Sequence, residues 1–215
     1  MVIRVATPRD LDRATETIAL AFATDPVWSV ALASPDGRTD HLATYWRIFV
    51  EAAQVQDGVW LLDDGAAVSV WIPPGGHELD GAASARLDAF NRAIFGSAGA
   101  AELEDLFERF EANHPRSDPH AYLSLLATHP RRRGEGIGQA LLADNLGRWD
   151  ADGVPAYLES TNPANDHRYE RLGFQRVGGF TTVRDGAPIT TMWRDAGGGG
   201  SGRARGISRA TEFPS

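Results

Sequence analysis

The sequence predicts a single α/β domain: a mixed sheet of six or seven strands with helices on both faces. Three observations lead there. Seven short β-prone runs are spread over the chain, at residues 2–6, 59–62, 67–72, 122–128, 156–159, 174–182 and 189–193. Apolar stripes with helical spacing lie between them. The 215 residues suffice for one domain with a full core, placed within residues 1–195.

The first run leads into Thr7-Pro8-Arg9-Asp10, a helix start with Thr7 as N-cap, Pro8 in the first helical position and Asp10 as the capping-box acid. Leu11, Ala14, Ile18, Ala21 and Phe22 continue that helix until Asp25-Pro26 interrupts it. Leu42, Tyr45, Trp46, Phe49, Val50 and Ala53 form a second amphipathic stripe. The runs 59–62 and 67–72 read as a hairpin turned by Asp63-Asp64-Gly65. Residues 80–113 read as a helix in two pieces, broken near Gly96-Ser97-Ala98-Gly99. The run 122–128 is continuously apolar enough to predict a strand buried on both faces. From residue 196 to 215 the composition shifts to Gly, Ser and Arg with almost no apolar content, which predicts a flexible tail.

Composition narrows the chemistry. The formal charge is −8, which argues against a general nucleic-acid binder and suits a cationic ligand such as an amine. With no cysteine, disulfides, thiolate catalysis and thiolate metal sites are excluded. The six histidines show no metal-ligand spacing, so no metal is expected. No apolar run approaches the ~20 residues that span a bilayer, and the N-terminus carries no signal-peptide core. The expectation is a cytoplasmic protein with no membrane partner.

The most informative stretch runs from Leu123 to Gly138: a strand, then the basic, glycine-rich turn Arg131-Arg132-Arg133-Gly134-Glu135-Gly136-Ile137-Gly138, then a helix carrying Leu142, Leu146 and Trp149. A helix N-terminus exposes unpaired N–H groups and partial positive charge. Glycines let that backbone approach an anion closely, and the arginines add charge. Such a turn suits a pyrophosphate. A P-loop is excluded, because no Lys-Ser/Thr pair follows these glycines. A dinucleotide site stays open on spacing, since Glu159 lies 21 residues beyond Gly138. However, the chain before the turn holds a hairpin and helices rather than successive βαβ units.

Arg133-Gly134-Glu135-Gly136-Ile137-Gly138 resembles the Arg/Gln-x-x-Gly-x-Gly signature of the GNAT superfamily of N-acetyltransferases. Asn165-Asp166-His167-Arg168-Tyr169-Glu170-Arg171-Leu172-Gly173-Phe174 is similar to that family's second signature, departing from it at Arg168, where an aromatic residue is usual. Stretches 63–71 and 157–160 are similar to the subgroup that acetylates puromycin, an aminonucleoside.

The resemblance implies a mostly antiparallel sheet with a central V-shaped splay, acetyl-CoA as co-substrate, and a frequent homodimer. It implies that the amides of Arg133, Gly134, Glu135, Gly136, Ile137 and Gly138 hold the CoA pyrophosphate. Leu126, Ala127 and Thr128 would run along the pantetheine arm, with Asn165 as a polar contact. Tyr169 would be the general acid. A tyrosine with a pKa near ~10 is a neutral phenol at pH 7 and donates to a thiolate whose thiol has a pKa near ~8.5. Most amines are protonated at pH 7, so a base, or a water chain to one, must take a proton. Glu159, at a strand end, is the candidate. Trp28 and Trp71 are candidates for lining an acceptor pocket, since aromatic faces suit organic cations. The function so implied is N-acetylation of a small-molecule amine. Acetylation of a protein or peptide, and non-catalytic acyl-CoA sensing, are the alternatives.

Overall fold

The computed structural model describes residues 1–197. The tail expected from residue 196 therefore lies, beyond Gly197, outside the described residues. Seven strands form one sheet: β1 (Ile3–Val5), β2 (Val59–Leu62), β3 (Ala67–Ile72), β4 (Ala121–Thr128), β5 (Ala156–Ser160), β6 (Gln175–Thr181) and β7 (Pro188–Arg194). Their order is β1-β2-β3-β4-β5-β7-β6. Every neighbouring pair is antiparallel except β4 and β5.

Helices α1 (Leu11–Phe22), α2 (Trp28–Ala31), α3 (His41–Gln54) and α4 (Gly81–Asn113) cover one face, and α5 (Ile137–Ala151) covers the other. A short α6 (Asp166–Glu170) follows β5. The α3 stripe becomes core: Tyr45, Trp46, Phe49, Val50 and Ala53 are buried against α1, α4 and the sheet. Helix α4 bends at Gly96, whose φ of 69° is open to a residue without Cβ. Its second piece thereby brings Phe107 and Phe110 over the sheet, where Phe110 stacks on Trp28.

The expected capping box forms ahead of α1, with Thr7 as N-cap and Asp10 as its acid. The Asp10 carboxylate accepts from the Thr7 amide and hydroxyl, each at 2.7 Å, and from Arg4.

Strand β4 decides the architecture. It pairs with β5 only from Ala121 to Leu123, opposite Ala156 to Leu158. Against β3, Leu123 sits opposite Trp71 and Leu125 opposite Val70, which leaves Ser124 as an extra, bulged residue. The bulge switches faces. Ala121 and Leu123 pack in the α5-side core, whereas Leu125 and Ala127 pack under α1 and α3. Burial on both faces was expected for this strand. Instead buried residues alternate with the half-exposed Tyr122, Ser124, Leu126 and Thr128.

On the α5 side, Asn145 is buried, and its Oδ1 accepts from Ser69 Oγ at 2.7 Å and from Trp71 Nε1 at 3.0 Å. Asn145→Leu leaves two donors without an acceptor in the dry core, at about 1–3 kcal/mol for each group. Urea denaturation should therefore show a loss of roughly 2–4 kcal/mol.

Candidate active site

The parting of β4 from β5 opens a row of three adjoining spaces that share lining residues. A cleft of about 1640 Å³ lies between α1, the glycine turn and α6, and includes Thr24, Leu126, Thr128, Gly136, Asn165 and Tyr169 in its lining. It shares Phe22, Asp25, Leu126, Asn165 and Tyr169 with a central cavity of about 770 Å³. That cavity shares Glu78, Phe107, Phe110, Tyr122 and Glu159 with a vestibule of about 1370 Å³ on the far side.

The cleft is built for an anion. Gly134 and Gly136 take positive φ, 87° and 75°, and turn the chain into α5 with Gly136 as a left-handed N-cap. Among the described residues no protein group accepts from the amides of Gly134, Glu135, Gly136, Ile137, Gly138 or Gln139; Ala140 is the first to bond, to Gly136 O at 3.0 Å. Gly138 is needed for another reason, since a Cβ there would meet Thr128 Oγ1 at 2.5 Å. Arg132, Arg133, Arg168 and Arg171 also line the cleft.

The expected amide run is shifted by one residue. The Arg133 amide points back to Pro130 O at 3.4 Å, and the Arg133 guanidinium bonds Ala21 O at 3.1 Å, tying the turn to the C-terminus of α1. The run thus starts at Gly134 and extends to Gln139. The Glu135 carboxylate pairs with Arg132 at the surface, so this residue offers the cleft only its amide.

On β4, His129 N donates to Ala66 O. Main-chain direction alternates along a strand, so Ala127, opposite Val68, also faces β3, while Leu126 and Thr128 present their main-chain groups to the open side. Ala127 is a correction: its peptide groups face the neighbouring strand and its side chain is core. Asn165 lines both cleft and cavity, with Oδ1 accepting from Arg168 at 2.9 Å.

Tyr169 stands where cleft and cavity meet, its ring edge-on to Phe174. Burial, reinforced by the Asp25 and Asp166 carboxylates, pushes its phenol up to about 12. Asp25 is itself raised by burial, although it accepts from the Trp28 and Val27 amides and from Thr161 Oγ1.

The cavity beyond is aromatic and acidic. Trp28 lines it beside Trp46, Phe49, Phe107 and Phe110. Trp71 does not, contrary to expectation. It points to the opposite face of β3, fully buried against Trp149 and bonded to Asn145. Glu159 projects from β5 with its carboxylate only 2% exposed, enough enclosure to remove it from bulk water. Neither of its oxygens has a normal hydrogen bond among the described residues; His114 Nδ1 stands 3.5 Å from Oε1.

Sequence reasoning passed over Glu78. It sits in the irregular segment between β3 and α4, where no periodicity marks it, and accepts from Ser124 Oγ, the bulged residue. Burial, with the Glu159 charge adding to it, raises its carboxyl to about 7. The only sequence signal was an acid just after Pro73-Pro74-Gly75-Gly76.

Comparison with known proteins agrees with this geometry. Residues 89–176 match the acetyltransferase (GNAT) domain family model. An uncharacterized N-acetyltransferase of Schizosaccharomyces pombe is 26% identical over 200 residues, covering 87% of this chain and 80% of the relative. The solved structure described as histone acetyltransferase HPA2 and related acetyltransferase, from Corynebacterium glutamicum, is 26% identical with a TM-score of 0.63, covering 91% and 96% of the two chains. Arylalkylamine N-acetyltransferase 2 of Aedes aegypti shares the fold, with a TM-score of 0.63 at 14% identity over 91% and 98%. The fold and these matches together define an acyl-transfer enzyme. The match to a GNAT acetyltransferase domain spans residues 89–176, and the protein is an N-acetyltransferase.

A side chain at Gly136 would strain the left-handed cap by roughly 1–2 kcal/mol. Gly136→Val should weaken acetyl-CoA binding about tenfold by calorimetry, with the fold retained.

Proposed function

We propose that the protein transfers the acetyl group of acetyl-CoA to the amine of a small molecule by direct attack of the amine on the thioester. The observation that carries this reading is the row of adjoining cleft, cavity and vestibule. Unbonded amides and arginines stand at one mouth, and two enclosed carboxylates among aromatic rings stand toward the other.

The donor's pyrophosphate lies on the amides of residues 134–139. Its pantetheine arm follows Leu126, Thr128 and Asn165, and its thioester reaches the point where β4 leaves β5. Main-chain donors there stabilise the oxyanion that develops on attack. Tyr169, a neutral phenol throughout the physiological range, protonates the departing thiolate. The acceptor comes through the vestibule. Its apolar body packs against Trp28, Phe107 and Phe110, and its ammonium lies between Glu78 and Glu159. Glu159, with the Tyr122 and Tyr157 hydroxyls beside it, takes the proton. Glu78, held by Ser124, is the electrostatic anchor.

The central cavity is small and walled by rings, which favours a compact amine over a protein substrate. An aminonucleoside such as puromycin falls within that class. The Corynebacterium relative, described as a histone acetyltransferase, favours a peptide amine as the second reading. A thiol-release assay comparing puromycin and arylalkylamines with a histone-tail peptide decides between them: faster turnover of the peptide rejects the small-amine reading.

Tyr169→Phe should lower kcat by about 10²-fold with little change in the acetyl-CoA KM. Glu78 ionises as pH rises through about 7, and only its ionised form attracts an ammonium. The amine KM should therefore fall across that range in the wild type and lose this dependence in Glu78→Gln. Linkage gives the opposite sign for stability. A carboxyl raised from 4.5 to about 7 on folding binds its proton more tightly in the folded state, so wild type loses stability relative to Glu78→Gln as pH rises through that window. Thermal melts at pH 4.5 and 8 measure it.

A further inference from the structure

Behind Glu159, on the vestibule side, two histidines lie in line. His114 follows the end of α4, and His120 precedes β4. His120 Nδ1 is 2.7 Å from Asp118 O, and its Nε2 is 3.0 Å from His114 Nε2. His114 Nδ1 in turn stands 3.5 Å from Glu159 Oε1.

These contacts fix the protons. A carbonyl only accepts, so His120 carries its hydrogen on Nδ1 and keeps a lone pair on Nε2. His114 must then donate from Nε2, which leaves Nδ1, facing Glu159, as the ring atom that can exchange a proton with the carboxylate. Burial, with the neighbouring His114 assisting it, depresses His120 below the ordinary histidine value and so favours its neutral ring. Tyr122 and Tyr157 meet the His114 ring edge-on, at 4.8 and 4.9 Å between centroids, and hold its plane.

We propose that Glu159, His114 and His120 form a proton relay, in which His114 drains the proton that Glu159 takes from the acceptor ammonium and His120 fixes the tautomer that lets it do so. The proposal rests on the acetyl-transfer reading above. Acetylation of an ammonium yields an amide, a thiol and one net proton. One N–H proton moves to Glu159 Oε1. The C–N bond then forms as the C–S bond breaks, and a second N–H proton replaces the one Tyr169 gives to sulfur. The proton on Glu159 passes to His114 Nδ1. The imidazolium releases a proton to water in the vestibule, toward which His114 is 27% exposed. His114 and His120 are positioning residues, and Glu159 alone touches the substrate.

The other titratable and charged groups facing this relay are His77 and Glu78 from the β3–α4 segment, Glu111 from α4, Arg116 and Asp118 from the loop between α4 and β4, Tyr122 from β4 and Tyr157 from β5, the two phenols lying beside the Glu159 carboxylate.

Two measurements test the relay, and the first needs no activity. Nitrogen-15 NMR of the histidine rings in the unliganded protein at neutral pH should find the His114 proton on Nε2 and the His120 proton on Nδ1. His120→Asn should release the His114 preference. A neutral His114 carrying its proton on Nδ1 overturns the proposal even if the enzyme turns over. The second is kinetic. His114→Ala should lower kcat about 10- to 100-fold, leave the acetyl-CoA KM unchanged, and regain rate with added imidazole. Wild-type kcat and an unchanged pH profile in His114→Ala would overturn it. Absence of thiol release by the wild-type protein with every amine would instead sink the acetyl-transfer reading.

Discussion

The pairing of β4 with β5 stops after Leu123, and the rest of the active site follows from that stop. A parallel pair that continued would bond the main chain of Leu126 and Thr128 to β5 and close the sheet. Because the strands part, those peptide groups face a cavity, and the side chains of Tyr122, Ser124 and Leu126 line it. The fold can leave the opening because each side of it is secured elsewhere. Antiparallel neighbours hold β4 through β3 and β5 through β7. Beyond the opening, the buried Arg194 bonds both Asp150 oxygens and Leu172 O, tying β7 to α5 and to the segment after α6.

The cleft and the cavity are opposite in charge. Arginines and unbonded amides surround the cleft, while Asp25, Glu78 and Glu159 line the cavity, and Tyr169 stands at the boundary. In the proposed function, this arrangement sorts a polyanion and an ammonium to different mouths without any recognition of detail. The sorting is local: the net charge of −8 described the whole surface and gave no sign of the cationic cleft.

Most elements were legible because their cause is local. The Asp63-Asp64-Gly65 turn has three successive residues at positive φ, and those residue types adopt it readily. The α3 stripe and the break at Gly96 are likewise properties of short windows. The glycine turn and Tyr169 were legible because helix N-termini and motif spacing are also local. Trp71, Ala127 and Glu78 were not. The first two depend on which face of a strand a residue occupies, and β4 changes face at a bulge that no pattern in 121–128 announces. Glu78 depends on an irregular segment folding back over that bulge, and the His114–His120 contact depends on a loop closing on itself.

The bulge also makes β4 a strand read in two phases. Removing Ser124 would restore strict alternation and leave the residues after it on the faces they already occupy, Leu125 and Ala127 under α1 and α3, Leu126 and Thr128 toward α5. What it would take away is the hydroxyl that donates to Glu78. The extra residue therefore serves the cavity and not the core, and a lineage that lost it would keep the sheet while freeing the Glu78 carboxylate.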